Sequence, residues 1–468
     1  MMKRWVIIGF IFIVNNSYCQ SVTEKLQLAI QKLETDPQLL HAIIGLAVYD
    51  SKADTPVYIH NDQIGLAPAS TQKLFISCAA FDLLGKNYRY VTEIRYKYFN
   101  SNPARSYFAI KASGDPTFGS PRFDSTTATS ILKNITLALI ARKVTPVSIQ
   151  YIIQDSAYGN NTVPGAWIWE DIGNYYGAAA QSFNWLENSY DIILKSGKKT
   201  GDNVDIVKTQ PGGLSNGLRV NVKSAKKGSG DNSIVYLNYG SVPALIEGTI
   251  PADEDTFTVS ASIQNPQDVF MQQLNESIKS LNIPVFYGFD SHPPLLTLPD
   301  SLFNIIKIYR HVSPSLDSIN YWFLKKSINL YGEALIKTMA LEKSGFGSTE
   351  KGVELLKDFW NDKGIENSAL NIFDGSGLSP QNRVTADALI KALQYAKKRP
   401  WFNSFYFDLP EHNGMKMKSG SINGVRSYAG YQKAGNGKEY SFAVIVNNYD
   451  GKSADVIKKI FGLLDNLK

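Results

Sequence analysis

Cysteine is almost missing from this chain: Cys19 and Cys78 are the only two among 468 residues. No disulfide framework can hold the fold, so the stability must come from buried apolar cores. Histidine is scarce as well, at His41, His60, His292, His311 and His412, and these are scattered with no partner spacing. That removes the usual serine–histidine and cysteine–histidine arrangements and leaves no metal-ligand pattern. Past the N-terminus no stretch approaches the ~20 apolar residues of a membrane helix. The net charge of +6 is spread without a dense basic block, which argues against nucleic-acid binding. The glycine turns "GSGDN" and "GFGST" lack the lysine of a phosphate-binding loop. No fixed-period repeat or low-complexity tract occurs.

What is present is a soluble globular balance, 44% hydrophobic and 19% charged, in a chain long enough for two or three domains. Residues 1–19 read as a secretory leader: Lys3 and Arg4, a short apolar run from Trp5 to Val14, then Ser17 and Cys19 before Gln20. Lipidation at Cys19 is the alternative, disfavoured by Tyr18. Cleavage there leaves Cys78 alone, in "KLFISCAAFDLL", as a small core residue.

"EKLQLAIQKLET" has helical spacing, and "AIIGLAVYD" and "TPVYIHN" read as strands around a "SKAD" turn. A helix from about Thr71 to Leu84 follows. Residues 86–299 are then dominated by alternating segments such as "YVTEIRYKYF", "GLRVNVKSA" and "DTFTVSASI", a mostly β insert of one or two nested modules. From residue 300 helices return, followed by the strands "GMKMKSGSI", "VRSYAGYQKA" and "YSFAVIVNNY" and a final amphipathic helix. Residues 20–85 and 300–468 thus read as two parts of one α/β (α+β) catalytic domain. Its antiparallel sheet joins two N-terminal and three C-terminal strands, flanked by helices.

Ser-x-x-Lys occurs five times, at Ser70, Ser130, Ser196, Ser224 and Ser348. Ser196 and Ser224 lie in lysine-rich turns, and Ser348 reads as a helix N-cap. Ser70 stands where a strand-rich segment meets a buried-looking helix, and Lys73 falls on its face. A serine needs a base, and a desolvated lysine beside a second cation can serve. Ser-x-Asn appears at Ser182, Ser280, Ser318, Ser327 and Ser421. Only Ser327–Asn329 sits between two good helices. Lys-Ser/Thr-Gly appears at Lys195, Lys199, Lys343 and Lys418. Lys418 is in an alternating strand before an Asn-Gly turn, whereas Lys343 reads as a helix end.

In that order the three motifs resemble the class C low-molecular-mass penicillin-binding proteins, and within them the D-alanyl-D-alanine carboxypeptidase/endopeptidase branch with a large insert. "ASGDPTFGSP", "PGAWIWEDIGNYYGA", "DGSGLSPQNRVTA" and "MKSGSINGVRSYAGY" extend the resemblance over nearly the whole mature chain. It departs at Ser419, where threonine is commoner, and at Pro380, where arginine is frequent. The resemblance implies a penicillin-binding/transpeptidase-like fold and an exported, periplasmic serine DD-peptidase, with membrane association open. It implies Ser70 as nucleophile, Lys73 as base, Ser327 as proton relay, Asn329 as a positioning amide and Lys418 as a supporting cation. Ser419, Gly420 and Ser421 would bind substrate, Ser421 through its N–H, and Asp171 would meet a diamino-acid amine. The partners implied are a peptidoglycan stem peptide and β-lactam antibiotics as covalent inhibitors, with no cofactor and no metal. A β-lactamase or esterase on the same scaffold, or a catalytically weak cell-wall-binding protein, are the alternatives.

Overall fold

A computed structural model describes residues 20–144, 147–148, 151–154, 158–159, 161–238, 243–280, 285–286, 301 and 303–468. The secretory leader expected at residues 1–19 lies outside them.

The two ends of the chain share one antiparallel sheet. Its strand order is Glu411–His412, Met415–Ile422, Val425–Lys433, Glu439–Asn447, Ile43–Asp50 and Thr55–His60. The five expected strands are all there, and the short Glu411–His412 strand adds an edge. Alternation along each strand divides its side chains between two cores. Ile44, Leu46, Val444 and Val446 meet the terminal helices Val22–Glu34 and Ser453–Leu464. Ala47, Ala443 and Ile445 face the opposite layer, made by Lys73–Leu83, Asn329–Ser344 and Ala386–Lys397. Asn329–Ser344 is buried from Leu330 to Ala340 on every side, so it runs through the middle of that core.

The β-rich residues between form two groups with separate cores. One is a four-stranded sheet backed by helices Ala128–Ala141 and Pro266–Lys279, packed around Phe118, Trp185 and Phe270. The other is a pair of three-stranded sheets closed over Ile192, Leu194, Ile246 and Val259. Phe303–Val312 pairs with Val91–Phe99 over its whole length, so the sheet of the insert continues to Val312. The sequence of that strand resembles any other alternating segment, and only the pairing assigns it.

Candidate active site

Ser70 belongs to a 3₁₀ turn, Ala69–Gln72, that leads into the helix Lys73–Leu83. The helix proper begins two residues later than expected. The tighter turn stacks residues i and i+3, which brings Lys73 Nζ to 2.9 Å from Ser70 Oγ. Ala69 holds a left-handed φ of 46°, a conformation costly for a residue with a Cβ. The turn is wedged from two sides. A Cβ at Gly420 would lie 2.4 Å from Pro68 O and 2.9 Å from Ser70 N, and one at Gly377 2.1 Å from Ala69 O. The strand carrying Lys418 can reach the Ser70 turn only because residue 420 has no side chain.

Ser327 lies in the three-residue connection between Leu316–Lys325 and Asn329–Ser344, also with a left-handed φ, of 58°. Asn329 is the first residue of its helix rather than a loop residue. Its Oδ1 accepts from Lys73 Nζ at 2.7 Å, and its Nδ2 donates to Tyr176 O at 2.7 Å. Lys73 Nζ also donates to Ser376 O at 2.5 Å. On the other side Lys418 Nζ donates to Ser327 Oγ at 2.9 Å and to Ser419 O at 2.8 Å. The other readings of the motifs hold elsewhere: Ser348 caps its helix by accepting from Lys351 N–H, and Gly345 ends one in the left-handed conformation.

Lys73 and Lys418 are 0% and 1% exposed. Burial lowers the Lys73 ammonium to about 7, against the opposing pull of Asp374 and Glu333. Lys418 is held well below the usual lysine range, first by burial and then by repulsion from Lys73. The repulsion between the two cations therefore weighs on Lys418, while burial sets Lys73. A neutral amine has two N–H groups and one lone pair. The carbonyls of Asn329 and Ser376 can take both N–H groups, which leaves the lone pair for the Ser70 hydroxyl.

A cleft of about 930 Å³ opens above these groups and is lined by Ser70, Ser327, Asn329, Ser421 and Asp171. Lys73 and Lys418 do not line it and reach it through their contacts with the lining residues Ser70, Asn329 and Ser327. Ser419 and Gly420 are in the adjoining strand but do not line it. Asp171 stands on one wall, in the short helix Trp169–Ile172, with its carboxyl raised to about 6 by burial and secondarily by Glu170. None of the four described histidines lines the cleft.

The sequence reading missed the loop that holds Lys73 from below. Asp374, buried, accepts from the backbone N–H groups of Ser376, Gly377 and Ser379 at 3.2, 2.7 and 2.6 Å. Gln72 Nε2, Asn382 Nδ2 and Trp167 Nε1 donate to it as well. This winds "DGSGLS" around one carboxylate and fixes Ser376 O under the lysine. An aspartate just before closely spaced glycines was the available signal. The Tyr176 and Ser376 carbonyls carry none.

A model of the D-Ala-D-Ala carboxypeptidase 3 (S13) family matches residues 26–467. A D-alanyl-D-alanine carboxypeptidase of an Actinomadura species is 23% identical over 460 residues, covering 90% of this chain and 81% of that one. The D-alanyl-D-alanine carboxypeptidase DacB of Haemophilus influenzae is 21% identical over 417 residues, covering 83% and 82%. The crystal structure of penicillin binding protein 4 from the same organism superposes with a TM-score of 0.73 at 18% identity, covering 94% of this chain and 98% of that one.

Proposed function

From the premise that the chain belongs to the D-Ala-D-Ala carboxypeptidase 3 (S13) family, we propose that it is a serine D-Ala-D-Ala peptidase working through Ser70. The observation that carries the assignment of roles is the contact between Ser70 and a fully buried Lys73 whose two other partners are carbonyls.

In this reading neutral Lys73 takes the Ser70 proton as Oγ bonds to the penultimate D-alanine carbonyl carbon. The backbone N–H groups of Ser70 and Ser421 receive the oxyanion. Lys418 orients Ser327, whose hydroxyl passes a proton to the departing nitrogen as the C–N bond breaks. Water then hydrolyses the ester, with Lys73 again as base. Ser419 grips the terminal carboxylate, and Gly420 lets its strand approach. Asp171 faces the side chain of the third stem residue and takes an amine there. The substrate is a peptidoglycan stem peptide, and a β-lactam acylates Ser70 in its place. The leader reading adds export to the periplasm. Among the described residues no helix is long and apolar enough to cross a membrane.

Intact mass after benzylpenicillin tests this. Wild type gains one adduct and Ser70→Ala gains none; an equal adduct on Ser70→Ala rules Ser70 out as nucleophile. Release of D-alanine from a pentapeptide separates the peptidase from a β-lactamase or a non-catalytic wall-binding protein.

A further inference from the structure

One buried cation has no part in that chemistry. Lys337 is 1% exposed and lies two helical turns from Asn329 on the same face of Asn329–Ser344. Its Nζ donates to Thr162 O and to Ala180 O, each at 2.8 Å. These two carbonyls belong to the insert and are eighteen residues apart. The chain between them carries Ile168, Glu170, Asp171, Tyr175 and Tyr176, one wall of the cleft. A single ammonium thus closes both ends of this segment onto the catalytic helix.

Two further bonds fix its middle. Asn329 Nδ2 holds Tyr176 O, and Trp167 Nε1 donates to Asp374 Oδ2 at 2.8 Å. The outer side of the segment rests on the small sheets, where Asn174 Oδ1 accepts from Val235 N–H at 3.0 Å and Gly173 O from Ser262 N–H at 2.9 Å. These outer bonds do not involve Lys337. Glu333, between Asn329 and Lys337 on the helix, accepts from Gly375 N–H at 2.8 Å and so belongs to the loop under Lys73. A lysine buried without function costs several kcal/mol in desolvation, and an apolar side chain of that length would fill the same space.

We propose that Lys337 is a positioning residue for substrate recognition: it holds the 162–180 segment at the distance from Ser70 that a stem peptide needs. The proposal rests on the reading of Ser70 as nucleophile. None of the hydrogen bonds of Lys73, to Ser70, Asn329 and Ser376, is made with Lys337. A small acyl donor that occupies only the Ser70 end should hardly notice the loss, whereas a peptide running along the wall should bind poorly.

The test compares two probes on the full chain: the second-order rate of acylation by benzylpenicillin, and kcat/KM for a stem pentapeptide ending in D-Ala-D-Ala. In Lys337→Met the ratio of peptide to penicillin rates should fall at least ~10-fold, chiefly through KM. Trp167→Phe, which removes one middle anchor and keeps the ring, should move the ratio the same way by less. Hydrogen exchange over 162–180 should quicken in both variants. An unchanged ratio in Lys337→Met, with both rates intact or both reduced together, overturns the proposal. If Lys337→Met does not fold, an unchanged ratio in Trp167→Phe overturns it. Failure of wild type to be acylated would instead refute the Ser70 reading.

Discussion

The catalytic body and the 162–262 stretch of the inserted region bury different kinds of polar group, whereas the group built on the four-stranded sheet of the insert does bury Lys97, Asp115 and His311. The body hides charges: Lys73, Lys337 and Lys418 are at most 1% exposed, as are Glu333 and Asp374. The buried polar residues of the 162–262 stretch of the insert are serine, threonine and asparagine among the described residues, and they hold turns together. Toward the site this stretch offers backbone carbonyls, from Thr162, Tyr176 and Ala180, and one acid-bearing wall. Charges taken from water are costly and respond strongly to small changes in geometry; here four of the five sit on helices or a strand of the main sheet, and Asp374 sits in a loop wound around its carboxylate. Carbonyls are neutral and available from any backbone. The difference teaches that reactivity is set by the body, and reach along the substrate by the insert.

Removing the buried lysine proposed as base is the most severe break of that division. Lys73→Ala should slow benzylpenicillin acylation by ~10²–10⁴-fold, the usual worth of a general base, in a stopped-flow or gel-based acylation assay. A variant acylated as fast as wild type would transfer the base to another group. The pH profile sharpens the same point with a smaller effect. Burial holds Lys73 near 7, so the protonated amine accumulates as pH falls through that value and the lone pair is lost. Acylation should then drop about tenfold for each pH unit below the break and level off above it. A flat profile from pH 5 to 8 would contradict a titrating lysine base. The smallest effect belongs to the insert. Asp171→Asn should leave penicillin acylation unchanged and lower kcat/KM by about fivefold or less for a stem peptide with a free side-chain amine. Acetylating that amine should abolish the difference between the two proteins. Because the Asp171 carboxyl is raised to about 6, wild type should lose its preference for the free amine as pH falls below that value.

Much of this was legible along the chain. The continuous apolar runs in "GLAVYD" and "SFAVIV" mark strands buried on both faces, and the structure sorts Leu46 and Ala47 to opposite cores accordingly. Helix ends with local causes were legible too, as at Ser348 and Gly345. The pairing of Phe303–Val312 with Val91–Phe99 was not legible, because a segment's own residues do not say what it pairs with. The 3₁₀ form of the Ser70 turn was hidden because it depends on Gly420 and Gly377 approaching from elsewhere.

The sequence by itself determined the set of candidate groups, their order and the local elements that carry them, because propensity and periodicity act over a few residues. Tertiary structure decided which candidates form one site. Lys73 meets Asn329 across 256 residues and Ser376 O across 303. It also decided that Lys73 can serve as the proposed base, since an amine poised near 7 comes from the burial of that side chain, and burial is a property of everything packed around it.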